Sequence, residues 1–267
     1  MSGEQLTVLS VGATGSVGGY VIDEAISQGH TVRALLRNPA QLKPRLNLDI
    51  VTGDLTRPQS LVEAVKGVDA VVFTHGTYGS STQAEAVDYS GVRHVLEALD
   101  HKDIRIALMT AIAVTDRKGA HDWKRRAEWL VRASGNPYTI VRPGWFDYNE
   151  AEQHRPVFLQ GDRRQSGTPR DGVISRRQVA QVLVRSLTSV PALRKTFELV
   201  AEHGPAPDNF DPLFAALETD EVGHRNAIQD ADNMPLEREA PDFVTLLDTF
   251  RSRWDATTGS SASYRST

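Results

Sequence analysis

The stretch from Leu6 to Gly18, LTVLSVGATGSVG, constrains the fold of this chain more than any other. A short apolar run, Leu6 to Val11, breaks into glycines at Gly12, Gly15 and Gly18. Val17, Val21 and Ala25 then recur every four residues beside Ile22 and Ile26, which predicts one buried face of a helix. Strand, glycine turn and helix in that order form a phosphate cradle. The first glycine permits a tight turn, the second lets backbone approach a pyrophosphate, and the third lets helix pack on strand. The helix N-terminus contributes unpaired N–H groups and a partial positive charge.

The chain has 267 residues, enough for one large α/β domain with a small appendage and a core that needs no staples. It contains no cysteine, which excludes disulfides, thiolate catalysis and cysteine metal sites. A formal net charge of −4 gives no electrostatic basis for nucleic acid or anionic membrane as a partner. No apolar run approaches the ~20 residues of a membrane helix. The first residues carry no signal-peptide pattern, so the expectation is a soluble cytoplasmic protein. The eight histidines show no i, i+4 pair or carboxylate grouping, so no metal site is expected.

Further strands are expected at 31–36, 48–52, 70–73, 105–114 and 138–146, alternating with helices that begin near Pro58, Gln83 and Asp122. This alternation predicts a doubly wound parallel sheet of Rossmann type, with its C-terminal strand ends along one edge. Arg37 follows the second strand, about 20 residues past the glycines, where an NAD site usually places an acid for the ribose 2′-hydroxyl. A guanidinium there suits a 2′-phosphate and favours NADP(H) over NAD(H). Asp54, in the sequence GDL, either accepts from an adenine amino group or caps the next helix. The GTYGSST segment (76–82) reads as a mobile loop over the cleft, and His75 as a loop histidine rather than a base.

In order and spacing, GATGSVG, LLRNP, GDL, WKRRAE and YTIVRPGWF resemble the atypical short-chain dehydrogenase/reductases of the NmrA-like, NAD(P)-binding type, over roughly residues 5 to 200. The resemblance implies NADP(H) held at its pyrophosphate by Gly12, Ala13, Thr14, Gly15, Ser16 and Val17. It places Arg37 on the 2′-phosphate, Asp54 and Leu55 on the adenine, and Thr74, His75 and Gly76 beside the adenosine ribose. Lys124, with Glu128 one turn on, matches the lysine that bonds the nicotinamide ribose. Arg142, Pro143 and Gly144 match the segment lining the nicotinamide.

The chain departs from that pattern at the acid. Four residues before Lys124, where short-chain reductases carry a catalytic tyrosine, stands Ala120; His121 and Asp116 are nearby, but neither occupies the tyrosine's place. Near the usual serine the hydroxyl is Thr110, so the candidate catalytic residues are Lys124 and Thr110. Without a positioned acid, reduction of an ordinary ketone should lose about 10²–10⁴ in rate. A quinone or conjugated carbonyl gives a delocalised anion and tolerates the loss. Trp145, Phe146 and Tyr148 offer such an acceptor a flat apolar wall, or simply pack after the sixth strand. The alternative is a catalytically weak NADP(H)-binding redox sensor that acts through a protein partner.

Residues 1–200 are thus expected to form the dinucleotide-binding domain, with 145–175 on the substrate side. A helical extension follows at 201–255 and an unstructured tail at 256–267. Asp162, Arg163 and Arg164 read as a solvated turn. Two apolar stripes, Phe210/Leu213/Phe214/Leu217 and Phe243/Leu246/Leu247/Phe250, either cover the core, roof the cleft or support a homodimer.

Overall fold

The structure, a computed structural model, describes residues 4–77, 80–99 and 103–262. The first half runs β1 (Thr7–Val11), α1 (Gly18–Ser27), β2 (Thr31–Leu36), β3 (Leu48–Thr52), β4 (Ala70–Phe73), α2 (Ser81–Gln83), α3 (Ser90–Leu99) and β5 (Arg105–Met109). The second half runs α4 (Ala120–Ala133), β6 (Tyr138–Pro143), β7 (Trp145–Phe146), β8 (Arg155–Leu159), β9 (Val173–Ile174), α5 (Arg176–Ser186), β10 (Lys195–Glu202), α6 (Asp211–Ala215) and α7 (Pro241–Ala262).

Eight strands form one sheet in the order β3-β2-β1-β4-β5-β6-β10-β8. All pairs are parallel except β10 with β8. This is the expected doubly wound α/β architecture. Strand order reverses beside β1, so a crevice opens between the β1 and β4 ends, where such sheets take their ligands. One apolar cluster joins α1 and α5 to one face of the sheet, with Phe210, Phe214 and Leu217. The other joins α3 and α4 to the opposite face, with Phe243, Leu247 and Phe250. Both C-terminal stripes therefore cover the core.

Several boundaries differ from expectation. The helix expected at Pro58 is only a short 3-10 turn, Pro58–Leu61, because the Ser60 hydroxyl bonds the backbone of Asp54 and Arg57 and competes with helix formation. The 105–114 strand stops at Met109, and the backbone turns left-handed at Ala113 (φ 63°). The 138–146 strand divides at Gly144 into β6 and β7, and β7 pairs with β9 in a separate two-stranded sheet. A Cβ at Gly144 would lie 2.5 Å from the Gly172 oxygen, so only glycine permits this crossing. Between α2 and α3 the chain widens into a π-helical segment, Ala84–Tyr89. The last helix continues to Ala262, seven residues into the stretch expected to be unstructured; 263–267 lie outside the described residues. Tyr78 and Gly79 of the expected mobile loop also lie outside them, while Ser80 caps α2 in a reciprocal capping box.

Candidate functional site

A cleft of about 1210 Å³ runs along the C-terminal edge of the sheet. At its centre is the β1–α1 turn. Gly12 has φ 93°, and a Cβ there would sit 2.5 Å from the His75 nitrogen; at Gly18 a Cβ would collide with the Gly12 carbonyl oxygen. The two loops therefore touch backbone to backbone. Among the described residues no side chain caps the α1 N-terminus, so its N–H groups remain for a ligand. Gly12, Thr14, Gly15 and Ser16 line the cleft, whereas Ala13 and Val17 are buried in the core beneath the loop.

On one side the cleft reaches Arg37, Asp54 and Leu55. Arg37 is exposed and among the described residues makes no ion pair, so its fork is available to a phosphate. Asp54 accepts from the Thr56 backbone N–H (2.9 Å) and hydroxyl (2.8 Å), and these bonds hold its carboxyl below the usual carboxylate range. An uncapped helix start, a backbone cradle and an unpaired arginine together fit a dinucleotide with a 2′-phosphate.

Thr74, His75 and Gly76 line the floor. His75 bonds the Val87 carbonyl through Nε2 (3.1 Å), while its Nδ1 is buried with no partner among the described residues. Burial, reinforced by the Lys124 charge, pushes its pKa down to about 4, so the ring is neutral.

At the other end stands Lys124. Its Nζ lies 3.5 Å from Asp88 Oδ2, and a Cβ at Gly76 would come within 3.2 Å of it. Asp88 is buried, raised in pKa by desolvation against the pull of Lys124, and held by the Thr77 N–H (3.0 Å) and hydroxyl (3.1 Å). Lys124 is thus positioned by Asp88 and not by Glu128. The π-helical widening carries Asp88, which sequence periodicity gives no means of finding.

Glu128 points the other way, into a buried ion network. It accepts from Thr110 Oγ1 (2.8 Å) and from Arg142 Nε (3.0 Å) and Nη2 (2.7 Å). Burial alone would raise its carboxyl, but Arg142 and Arg132 hold it at about 2. Arg142 also donates to both carboxylate oxygens of Asp230 (2.8 and 2.7 Å). Two expectations are corrected here. Arg142 does not line the cleft, although its neighbours Pro143 and Gly144 do, because its guanidinium is saturated by carboxylates on the far side of β6. Thr110 does line it, but its hydroxyl proton is committed to Glu128 and cannot be given to a substrate.

Trp145, Phe146 and Tyr148 all line the mouth, with the Trp145 and Tyr148 rings edge to face 6.3 Å apart. Arg176, which sequence analysis did not single out, covers the Phe146 ring at 4.9 Å and is ion-paired with Asp147. Ala120 and His121 face the cleft from the first turn of α4. The solvated-turn reading holds for Arg163 and Arg164 but not for Asp162, which is buried and accepts from the Ala113 and Thr115 N–H groups at 2.7 Å each.

The profile of a family described as NAD(P)H-binding matches residues 12–189. The chain is 30% identical to UPF0659 protein YMR090W of Saccharomyces cerevisiae, over 75% of this chain and 95% of that protein. It is 26% identical to sanguinarine reductase of Eschscholzia californica, over 82% of this chain and 98% of the relative. A solved structure of a putative NAD-dependent epimerase/dehydratase from Bacillus halodurans superposes with a TM-score of 0.65 at 26% identity, covering 79% of this chain and all of that one.

Proposed function

The chain belongs to the NAD(P)H-binding family, among the atypical short-chain dehydrogenase/reductases of NmrA-like type, and on that premise we propose an NADPH-dependent reductase acting on a small quinone or conjugated carbonyl. The observation that carries this reading is a continuous cleft from the unpaired Arg37, past the glycine cradle, to Lys124 and the aromatic mouth, with Ala120 at the tyrosine position. When bound, the reduced nicotinamide supplies a hydride. The residues of the chain do the rest. The β1–α1 backbone holds the pyrophosphate, Arg37 selects the 2′-phosphate, and Lys124, anchored by Asp88, bonds the ribose hydroxyls and favours negative charge on the acceptor. Trp145, Phe146 and Tyr148 offer a flat acceptor an apolar wall at the mouth of the cleft. A relative named for reduction of sanguinarine supports a reductase.

The commitment of the Thr110 proton to Glu128 and the absence of a tyrosine favour a second reading, a dinucleotide sensor with little turnover. NADPH consumption across a panel of quinones and aldehydes separates the two. Turnover abolished by Lys124→Ala supports the reductase. Tight NADPH binding without oxidation of NADPH by any acceptor supports the sensor.

A further inference from the structure

His121 stands one turn before Lys124 on the same face of α4, and both line the cleft beside Ala120. The Ala113 carbonyl oxygen lies 3.1 Å from His121 Nδ1. A carbonyl only accepts, so Nδ1 carries a hydrogen and the titrating atom of the ring is Nε2. Among the described residues no protein group bonds Nε2, and it is not one of the buried unpartnered atoms, so it opens to the cleft. The partner carbonyl is itself fixed. Ala113 is left-handed, and its N–H is held by the buried Asp162.

We propose that His121 is the proton donor of the reaction, delivering its Nε2 proton to the oxygen of the reduced acceptor in place of the missing tyrosine. This rests on the reductase reading. The acceptor gains a hydride from the reduced dinucleotide, and its carbonyl electron pair moves onto oxygen. An O–H bond forms there as the Nε2–H bond breaks, the N–H electron pair stays on the ring, and water returns the proton to the imidazole. The surroundings favour release of that proton. Burial lowers the His121 pKa from its ordinary value and Lys124 adds to the effect, against the Ala113 bond and the more distant Asp162 and Asp116. Its position in the first helical turn acts in the same sense. Of the other nearby charges, Asp122 is paired with Arg117 and Arg126.

His121→Asn tests the assignment, because the Asn amide can reproduce the Nδ1–H bond to Ala113 while removing Nε2. The wild type is expected to turn over faster as pH falls towards the imidazole pKa. In the variant, kcat for a conjugated aldehyde acceptor should fall about 10²-fold or more and lose that pH dependence, with KM and NADPH affinity unchanged. A second readout needs no turnover. In histidine-ring NMR of the cofactor-free protein, 4-nitrophenol, standing in for the reduced product, should shift the His121 titration to higher pH. Turnover by His121→Asn with the wild-type kcat and pH profile, or a His121 titration unmoved by the phenol, would overturn the proposal while leaving the reductase reading intact. Failure of every quinone and aldehyde tested to oxidise NADPH bound to the wild-type protein would overturn the reductase reading itself, and the proposal with it.

Discussion

Glu198→Gln should make the folded chain more stable in alkali. Glu198 on β10 pairs in register with Arg142 on β6, and it is 2% exposed. Burial pushes its carboxyl up to about 8; Arg142, at 3.5 Å, opposes this, and the Asp162 and Asp230 charges reinforce it. Its neighbours explain why that one carboxyl stays protonated. Arg125, Arg132 and Arg142 already face Glu128, Asp220 and Asp230, so a further negative charge has no counterpart. The folded state therefore keeps a proton that the unfolded chain loses above its ordinary value of 4.5. Because the folded state binds more protons in that window, stability is complete below the unfolded pKa and declines as pH rises through the folded one. A gap from 4.5 to about 8 corresponds to about 5 kcal/mol at the alkaline end. Urea unfolding of both proteins across this window is the assay. The two should be nearly equal in mild acid, and the glutamine variant more stable by several kcal/mol above the folded pKa. Parallel stability curves would refute the buried protonated carboxyl.

Three further substitutions address the site. Arg37→Ala should weaken NADPH about 10- to 100-fold, a loss of charge-assisted bonds, and leave NADH nearly unchanged in a fluorescence titration. Thr110→Val should cost about 1–3 kcal/mol in urea unfolding, since it removes a donor from the buried Glu128, yet change turnover only a few-fold. Asp88→Asn should raise the Kd for NADPH, as Lys124 loses its anchor, with the circular dichroism spectrum unchanged.

The sheet was legible because its strands are short apolar runs ended by glycine or a polar turn. β2, β3 and β4 fall where the composition places them. The phosphate cradle was legible for the same reason, since it is local in sequence. Arg142 was not. Every residue of β6 is buried, so no alternation of polar and apolar residues tells which way its side chain points. The partners that claim it, Glu128 and Asp230, come from α4 and from a loop 88 residues away. Asp88 was hidden by the π-helical widening, which breaks the 3.6-residue period. His121 was visible as a residue but not as a cleft residue. α4 begins at Ala120, without a side-chain cap to announce it, two residues earlier than the pattern suggests.

The most direct test mixes the protein, loaded with one equivalent of NADPH, with a quinone and separately with an unconjugated ketone of similar shape. Absorbance of the reduced cofactor is then followed through a single turnover. The account predicts rapid loss with the quinone, whose reduced anion is delocalised, and slower loss with the ketone, whose alkoxide depends wholly on a donated proton. NADPH that binds tightly and is oxidised by neither would contradict a reductase and leave a sensor.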